Sequence, residues 1–285
     1  MSLSQPTLKE LQKTTPSNWR TEEYSFFGRN YIKGDNSQEG YNPLQPSKTL
    51  EERTKEEVAG IFNLLELKEG MQLLDLPCGY GRHSLELAKK ENIYIVGGDI
   101  NSIHLDEAKA QMEQLQKANE LKTNISFELM NMLDIPYTNE FDRVINMFYS
   151  LGFFETDEEN EQPFYQFYKA LKPNGKLLIH TDVNPPRILK GAFDRPLRTE
   201  QDGNILEVTD TYDEETKKIC GAWKEYDKNT KELLRDKKYA TRIYTEEEFK
   251  ALCLKVGFRD VQSYSYRNGG KYSPEACDMM IVATK

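Results

Sequence analysis

A glycine-rich loop between an apolar run and a helix constrains the fold of this chain most strongly. Residues 73–76 are apolar except for Asp75, the loop carries Gly79 and Gly81, and residues 85–90 have helical character. Glycine lets the backbone approach a ligand closely, and the first turn of a helix offers unpaired N–H groups. A strand, a tight loop and a helix start in this order predict a nucleotide-type binding site.

Two carboxylates narrow the choice of nucleotide. The dinucleotide fingerprint requires Gly or Ala at its third position, where this chain has Ser84. Asp75 would repel a pyrophosphate and attract an ammonium group. Asp99 ends the next apolar run, at the spacing where an acid holds a ribose diol. An ammonium group and a ribose together indicate S-adenosylmethionine, and two aspartates that only cap helices are the alternative interpretation.

The motifs resemble those of a known family. Asp75-x-x-x-Gly79-x-Gly81, Asp99 and Leu171-Lys172-Pro173-Asn174-Gly175 look like the motifs of class I S-adenosylmethionine-dependent methyltransferases. Residues 74–84 resemble a large bacterial subgroup of that family, and the resemblance covers residues 48–285. It implies a fold and a cofactor, with S-adenosylhomocysteine as product, and leaves the methyl acceptor open.

Composition restricts the partners and the compartment. The formal charge of −9 opposes binding to nucleic acid, which needs a basic surface. No apolar run approaches membrane-spanning length, and no signal peptide precedes residue 20. The cysteines are scattered and the histidines number three, which disfavours disulfides and a metal site. We therefore expect a cytoplasmic protein with no metal, no nucleic-acid partner and no membrane contact.

Apolar periodicity predicts an α/β fold. Capping boxes open predicted helices after Thr49, Thr156 and Thr245. Strands alternate with helices, which predicts a Rossmann-like, doubly wound, mostly parallel sheet of seven strands. The resemblance implies that the last strand runs antiparallel. The predicted strands span residues 71–76, 93–99, 126–130, 141–147, 176–181, 258–266 and 277–284.

Residues 1–46 form an N-terminal arm that is polar but contains six aromatic side chains between Trp19 and Tyr41. Disordered segments are poor in aromatic residues, so we expect residues 17–45 to pack as a lid and residues 1–15 to be loose. In the resembling family this region commonly closes over the donor and the acceptor. The alternative is that the aromatic side chains only dock on the core.

Residues 191–243 form an insertion within the cofactor-binding domain, which comprises residues 47–190 and 244–285. Alternating patterns at 205–212, 219–226 and 233–244 predict three antiparallel strands. The insertion leaves the sheet at the carboxyl end of strand five, where open α/β sheets bind ligands. It is expected to form a wall of the acceptor pocket, and a homodimer contact is its alternative role.

The resemblance implies roles for the residues at the strand ends. The glycines and Asp75 would meet the methionine part of the cofactor, Asp99 the ribose and Ile100 the adenine. Asn131 stands where similar sequences often have Asp, but its side-chain oxygen still accepts a hydrogen bond. The residues expected to bind the cofactor are Asp75, Pro77, Cys78, Gly79, Gly81, Arg82, Asp99, Ile100, Asn131, Met132, Met147 and Phe148.

Methyl transfer is an in-line displacement that depends mainly on alignment and on exclusion of water, and it needs a base only for a protonated nucleophile. The residues expected on the acceptor side are His180, Tyr149, Arg242, Tyr244 and, in addition, Asp182. His180 is either a base poised near neutrality or a hydrogen-bonded core histidine. Arg242 and Tyr244 share a strand face by the period of two, unless Arg242 only forms a surface ion pair.

These features predict methyl transfer to oxygen or nitrogen of a small molecule. The Asn184-Pro185-Pro186-Arg187 run is similar to a signature of amino-methylating DNA enzymes, but it follows the fifth strand and lacks the final aromatic residue. A nucleic-acid methyltransferase is therefore a less favoured alternative. A cofactor-binding protein with a regulatory or assembly role is another, and an aminopropyl transferase a third.

Overall fold

The structure is a computed structural model. It describes residues 49–90, 92–181, 184–188, 197–201, 203–265, 270–276 and 278–285. The predicted arm at 1–46, residues 191–196 of the insertion and the acceptor candidate Asp182 lie outside the described residues.

The helices begin where the capping boxes predict them. Thr49, Thr156 and Thr245 each accept a hydrogen bond from the backbone of a glutamate three residues on, and that glutamate side chain reaches back to the threonine backbone. The last of these helices ends at Gly257, which adopts a left-handed φ of 114°. The helices are α1 Leu50–Leu65, α2 Arg82–Ala88, α3 Ser102–Lys117, α4 Asp157–Ala170, α5 Pro185–Ile188 and α6 Glu246–Val256.

The main sheet has seven strands, as predicted, in the order β10-β11-β5-β4-β1-β2-β3. Strands β1 to β5 are parallel, and β11 is antiparallel to both β5 and β10. The strands of this sheet are β1 Gln72–Asp75, β2 Tyr94–Asp99, β3 Ile125–Leu129, β4 Phe141–Asn146, β5 Leu171–Thr181, β10 Arg259–Tyr264 and β11 Met279–Thr284. Because β1 pairs with both β2 and β4, the strand order reverses between β1 and β4, where open α/β sheets bind ligands.

Helices cover both faces of this sheet. Leu73 and Leu74 are adjacent in β1 and face opposite sides, so each belongs to a different apolar cluster. One cluster includes Val58 of α1, and the other includes Phe164 of α4. The doubly wound arrangement predicted from the sequence is therefore confirmed. No helix among the described residues is long and apolar enough to cross a membrane.

The insertion contains an antiparallel sheet of four strands rather than the predicted three. Its strands are β6 Leu197–Gln201, β7 Asn204–Asp213, β8 Lys218–Asp227 and β9 Leu233–Arg242, in that spatial order. Strand β6 was missed because only Leu197 is apolar within it, so its sequence carries no alternation. Its pairing with β7 supplies what the pattern lacks, through a turn at Gly203, which has a φ of 80°.

Candidate functional site

A single cavity opens at the carboxyl ends of β1, β2, β3 and β4. With its solvent-open mouth included, it has a volume of about 1120 Å³. All of the residues expected to bind the cofactor line this cavity, except Asp75 and Gly81. The four loops that follow β1, β2, β3 and β4 therefore all contribute residues to this cavity.

The loop after β1 is tied to the end of β2 through Asp99. The N–H of Gly79 donates to Asp99 Oδ2 at 2.8 Å, and the N–H of Asn101 donates to Oδ1 at 2.8 Å. These bonds fix the carboxylate, and each of its oxygens can accept a further hydrogen bond. A Cβ added at Gly79 would meet nothing nearer than His104 Nδ1 at 3.9 Å, so the backbone is open to a ligand there.

Gly81 does not line the cavity, and its approach to the cofactor stays a prediction. It is the N-cap residue of α2, and its φ of 80° is left-handed. A Cβ added there would lie 2.7 Å from Cζ of Phe127 in β3. Glycine is required at this position because α2 packs closely on the sheet.

Asp75 is buried behind the loop and does not line the cavity. Ser84 Oγ donates to its Oδ2 at 2.6 Å, and its Oδ1 has no hydrogen-bond partner among the described residues. Burial raises the pKa of Asp75 to about 7, and the nearby negative charge of Asp99 adds to this effect. A buried carboxylate oxygen without a protein donor fits the expected role toward a ligand ammonium group.

A cationic side chain lines the cavity at the start of α2. Arg82 is the first residue of this helix, where a positive charge is unfavourable, and the wholly buried Glu57 of α1 compensates by accepting from its Nη1. Glu57 Oε2 also lies 2.8 Å from Nε2 of His83. Burial lowers the pKa of His83 to about 4, helped by the positive charge of Arg82, so the imidazole is neutral at pH 7. The guanidinium of Arg82 lies 4.6 Å from the ring centre of Phe148.

The chain after β4 adopts an unusual backbone conformation. Phe148 and Tyr149 have φ values of 60° and 50°, so two consecutive residues other than glycine are left-handed. The N–H of Phe148 donates to Nδ1 of His180 at 3.4 Å, and the N–H of Tyr149 donates to the His180 carbonyl at 3.0 Å. His180 is fully buried and does not line the cavity.

Tyr149, Arg242 and Tyr244 do not line the cavity that the described residues form, and their contact with an acceptor stays a prediction. The hydroxyl of Tyr149 donates to the Arg242 carbonyl, and Arg242 Nη2 pairs with Glu248 at 2.7 Å. The Arg242 guanidinium also lies 4.5 Å from the Tyr244 ring centre, so these two side chains do share one face. All three residues are buried. The Tyr149 hydroxyl and the Arg242 guanidinium bond to protein groups.

Sequence reasoning missed several residues of the cavity wall. His104 lies in the first turn of α3. Its ring is perpendicular to the Tyr80 ring, with 6.4 Å between the two ring centres. A histidine just after the start of the helix that follows Asp99 was a signal that could have found it. The missed lining residues are Leu76, Tyr80, His83, Asn101, His104, Met130, Ser150 and Phe153.

A family model described as a methyltransferase domain matches residues 67–248. The chain belongs to the class I S-adenosylmethionine-dependent methyltransferases. The cofactor of this family is S-adenosylmethionine, and the fixed Asp99 carboxylate, the open backbone at Gly79 and the unpartnered Asp75 oxygen all fit it.

Relatives share the domain rather than the whole length. Methyltransferase GfsG from Streptomyces halstedii is 25% identical over 165 residues, which cover 56% of this chain and 54% of that protein. Phosphoethanolamine N-methyltransferase 3 from Arabidopsis thaliana is 30% identical over 136 residues, or 48% of this chain and 25% of that protein. The chain thus spans about half or less of the length of these relatives.

A solved structure extends the likeness of the fold. The CcbJ methyltransferase from Streptomyces caelestis superposes with a TM-score of 0.67 and 15% identity, over 88% of this chain and 95% of that chain. At this identity the likeness concerns the fold alone.

Proposed function

We propose that this protein transfers a methyl group from S-adenosylmethionine to an oxygen or nitrogen atom of a small-molecule acceptor in the cytoplasm. One observation carries the proposal: Gly79 and Asp99 line the same cavity as Arg82, Phe148 and Phe153, and we assign the last three to a second wall. The cavity lies at the carboxyl ends of the parallel strands, where open α/β sheets bind small ligands.

The donor side would be held by the backbone and by two carboxylates. Asp99 would accept hydrogen bonds from the ribose hydroxyls, because its two oxygens are already oriented by backbone N–H groups. Gly79 would allow close contact with the methionine part, whose ammonium group Asp75 would attract. The bound cofactor supplies a methyl group on a positively charged sulfur, and the mostly apolar wall excludes water from it.

The acceptor side would be formed by the second wall. Arg82 offers a charged donor toward an anionic group, and the neutral imidazole of His83 adds no charge to this wall. The name of the Arabidopsis relative gives phosphoethanolamine as its acceptor, which is a small molecule. The net charge of −9 also favours a small acceptor over nucleic acid.

We assign the insertion sheet to the acceptor side. The N–H of Arg242, at the end of β9, donates to the carbonyl of Gly152 at 2.8 Å. Gly152 lies between Ser150 and Phe153, which both line the cavity. A change in the insertion can therefore reach the cavity wall through this loop, and a homodimer contact through the same sheet is compatible with that role.

Calorimetric binding of S-adenosylhomocysteine tests the donor part of this proposal. We expect Asp99→Ala to weaken binding at least about tenfold, since a hydrogen bond to a charged acceptor contributes roughly 1.5–3 kcal/mol. Asp142→Ala is the matched control, because Asp142 also accepts a backbone N–H, from Gln72 at 2.8 Å, but it lies at the opposite edge of the sheet. NAD serves as the control ligand.

Absence of S-adenosylhomocysteine binding by the wild type, or equal binding of NAD, would refute the donor assignment. If the donor binds, transfer of a radiolabelled methyl group to a panel of small amines, phenols and carboxylic acids tests the acceptor class. Transfer only to RNA or DNA would show that the acceptor assignment is wrong.

A further inference from the structure

We propose that His180 and Asp278 form a positioning pair that holds Phe148 in the cavity wall, and that His180 is not the base of the reaction. This inference rests on the proposed function, because Phe148 lines the cavity proposed to hold the cofactor and the acceptor. Nothing in the family match assigns a role to either residue.

The backbone is strained at Phe148 and Tyr149. Left-handed φ values in residues other than glycine are energetically unfavourable and persist only where surrounding contacts enforce them. Here they occur at two consecutive positions, which begin two residues after the end of β4 and include the cavity-lining Phe148. Such strain at a binding site indicates that the position of the side chain matters to function.

A single residue, His180, holds both strained amides. His180 accepts the Phe148 N–H through its side chain and the Tyr149 N–H through its main chain. Its ring also packs edge-on against the Phe148 ring, with 4.7 Å between the centres. Arg82 also lies over the Phe148 ring, and the His83 ring stacks on it with 5.7 Å between the ring centres. Phe148 is thus held through its backbone and through three contacts of its ring.

The two nitrogen atoms of His180 face different groups of the protein. Since a backbone N–H can only donate, Nδ1 must accept, and the neutral ring then carries its proton on Nε2. Nε2 lies 3.5 Å from Oδ2 of Asp278, a buried carboxylate that favours this tautomer. Because Nδ1 already accepts the Phe148 N–H and the ring is fully buried outside the cavity lining, His180 is not placed to take a proton from an acceptor.

The segment that precedes Asp278 is held in place by Asn184. Asn184, just beyond β5, donates through Nδ2 to the carbonyls of Pro274 and Ala276 at 3.2 and 2.9 Å. The hydroxyl of Tyr272 donates to Asn184 Oδ1 at 3.1 Å. The Asn-Pro-Pro run therefore anchors the segment before β11, which places Asp278 beside His180.

Two substitutions of His180 separate positioning from base catalysis. His180→Asn keeps an acceptor oxygen at the position of Nδ1 but has no titratable group, whereas His180→Phe keeps a ring and loses the acceptor. We expect His180→Asn to bind S-adenosylhomocysteine within about threefold of the wild type, and His180→Phe to bind about tenfold more weakly. Amide hydrogen exchange at Phe148 should be about tenfold faster in the Phe variant only.

Tyr239→Phe is the stability control, because it removes a hydrogen bond to Asp210 within the insertion sheet, outside the cavity wall. It should lower the melting temperature without changing Phe148 exchange or ligand binding. Asp278→Asn, which keeps the shape of the side chain, should give an intermediate result and serves if His180→Phe does not fold.

The outcomes are distinct. Unchanged binding and exchange in His180→Phe would overturn the positioning role, as would equal losses in His180→Asn and His180→Phe. Loss of methyl transfer in His180→Asn with normal binding and exchange would restore the base assignment. Faster exchange at Phe148 without any ligand binding by the wild type would support positioning while refuting the proposed function.

Discussion

Two regions at the carboxyl edge of the sheet use polar side chains in opposite ways. In the first, Asp75 and Asp99 end the strands that precede the cavity loops and keep acceptor capacity for a ligand. The second, which we call the sealed cluster, consists of Tyr149, Gly152, Arg242 and Tyr244, and its members bond mainly to one another. A position at the end of a strand therefore does not decide whether a polar residue meets a ligand.

The difference arises from what covers each edge. The loop after β1 contains Gly79 and Gly81, and the loop after β2 is only two residues long. Backbone N–H groups of Gly79 and Asn101 therefore orient Asp99, while the space in front of Gly79 stays open. At the sealed cluster, the end of β9 lies directly on the loop after β4, with the Arg242 N–H bonded to the Gly152 carbonyl. The insertion thus closes this part of the edge with protein.

Gly152→Ala should break the sealed cluster and give the largest effect. An added Cβ would lie 2.0 Å from the Arg242 carbonyl oxygen, at a φ of 92°. Overpacking and left-handed strain together should cost about 4 kcal/mol in the free energy of unfolding. Gly70→Ala is the matched control, because Gly70 has a φ of 80° with no atom within 4 Å, and should cost only about 1 kcal/mol. Denaturant titration measures both, and equal losses would show that the contact is not tight.

Asp75→Asn should change how the free energy of unfolding depends on pH, which tests the buried carboxyl in the region of the cavity loops. The folded pKa of Asp75 is raised to about 7 from 3.8, mainly by burial, while Ser84 and Arg82 oppose the shift. The folded state therefore favours the protonated form, and the stability this provides is full below pH 4 and is lost as the pH rises through 7.

The Asn variant stays neutral, so its stability relative to the wild type should rise between pH 5 and pH 8. The expected gain is on the order of 3 kcal/mol, since each pKa unit corresponds to about 1.4 kcal/mol. Tyr149→Phe is the control without such a dependence, because burial raises the pKa of Tyr149 well above its usual range. A constant difference between Asp75→Asn and the wild type would contradict the assigned burial of a titrating carboxyl.

Tyr149→Phe and Tyr244→Phe should give the smallest effects and differ in sign. Loss of the Tyr149 hydroxyl bond to the Arg242 carbonyl should cost about 1 kcal/mol. The Tyr244 hydroxyl is buried with no hydrogen-bond partner among the described residues, so its removal should be neutral or slightly stabilising. Neither substitution should change S-adenosylhomocysteine binding. A tenfold loss of binding in either variant would show that the residue contributes to the binding site.

The sequence was most informative where the signal is local. Three threonine capping boxes located helix starts, and alternation of strands with helices predicted the doubly wound sheet. It was less informative for β6, which has little apolar pattern and forms by pairing with β7. Local propensity carries no record of such pairing partners.

For this protein, the sequence by itself determined the fold, the cofactor and the loops that form the cavity, because strand ends and glycine turns are specified by neighbouring residues. Only the tertiary structure decided which strand-end side chains face the cavity. Asp99 and Arg82 line it, whereas Tyr149 and Arg242 are closed off by the insertion. The physical reason is that a buried polar group bonds to whatever distant segment packs beside it, and no local pattern in the chain records that neighbour.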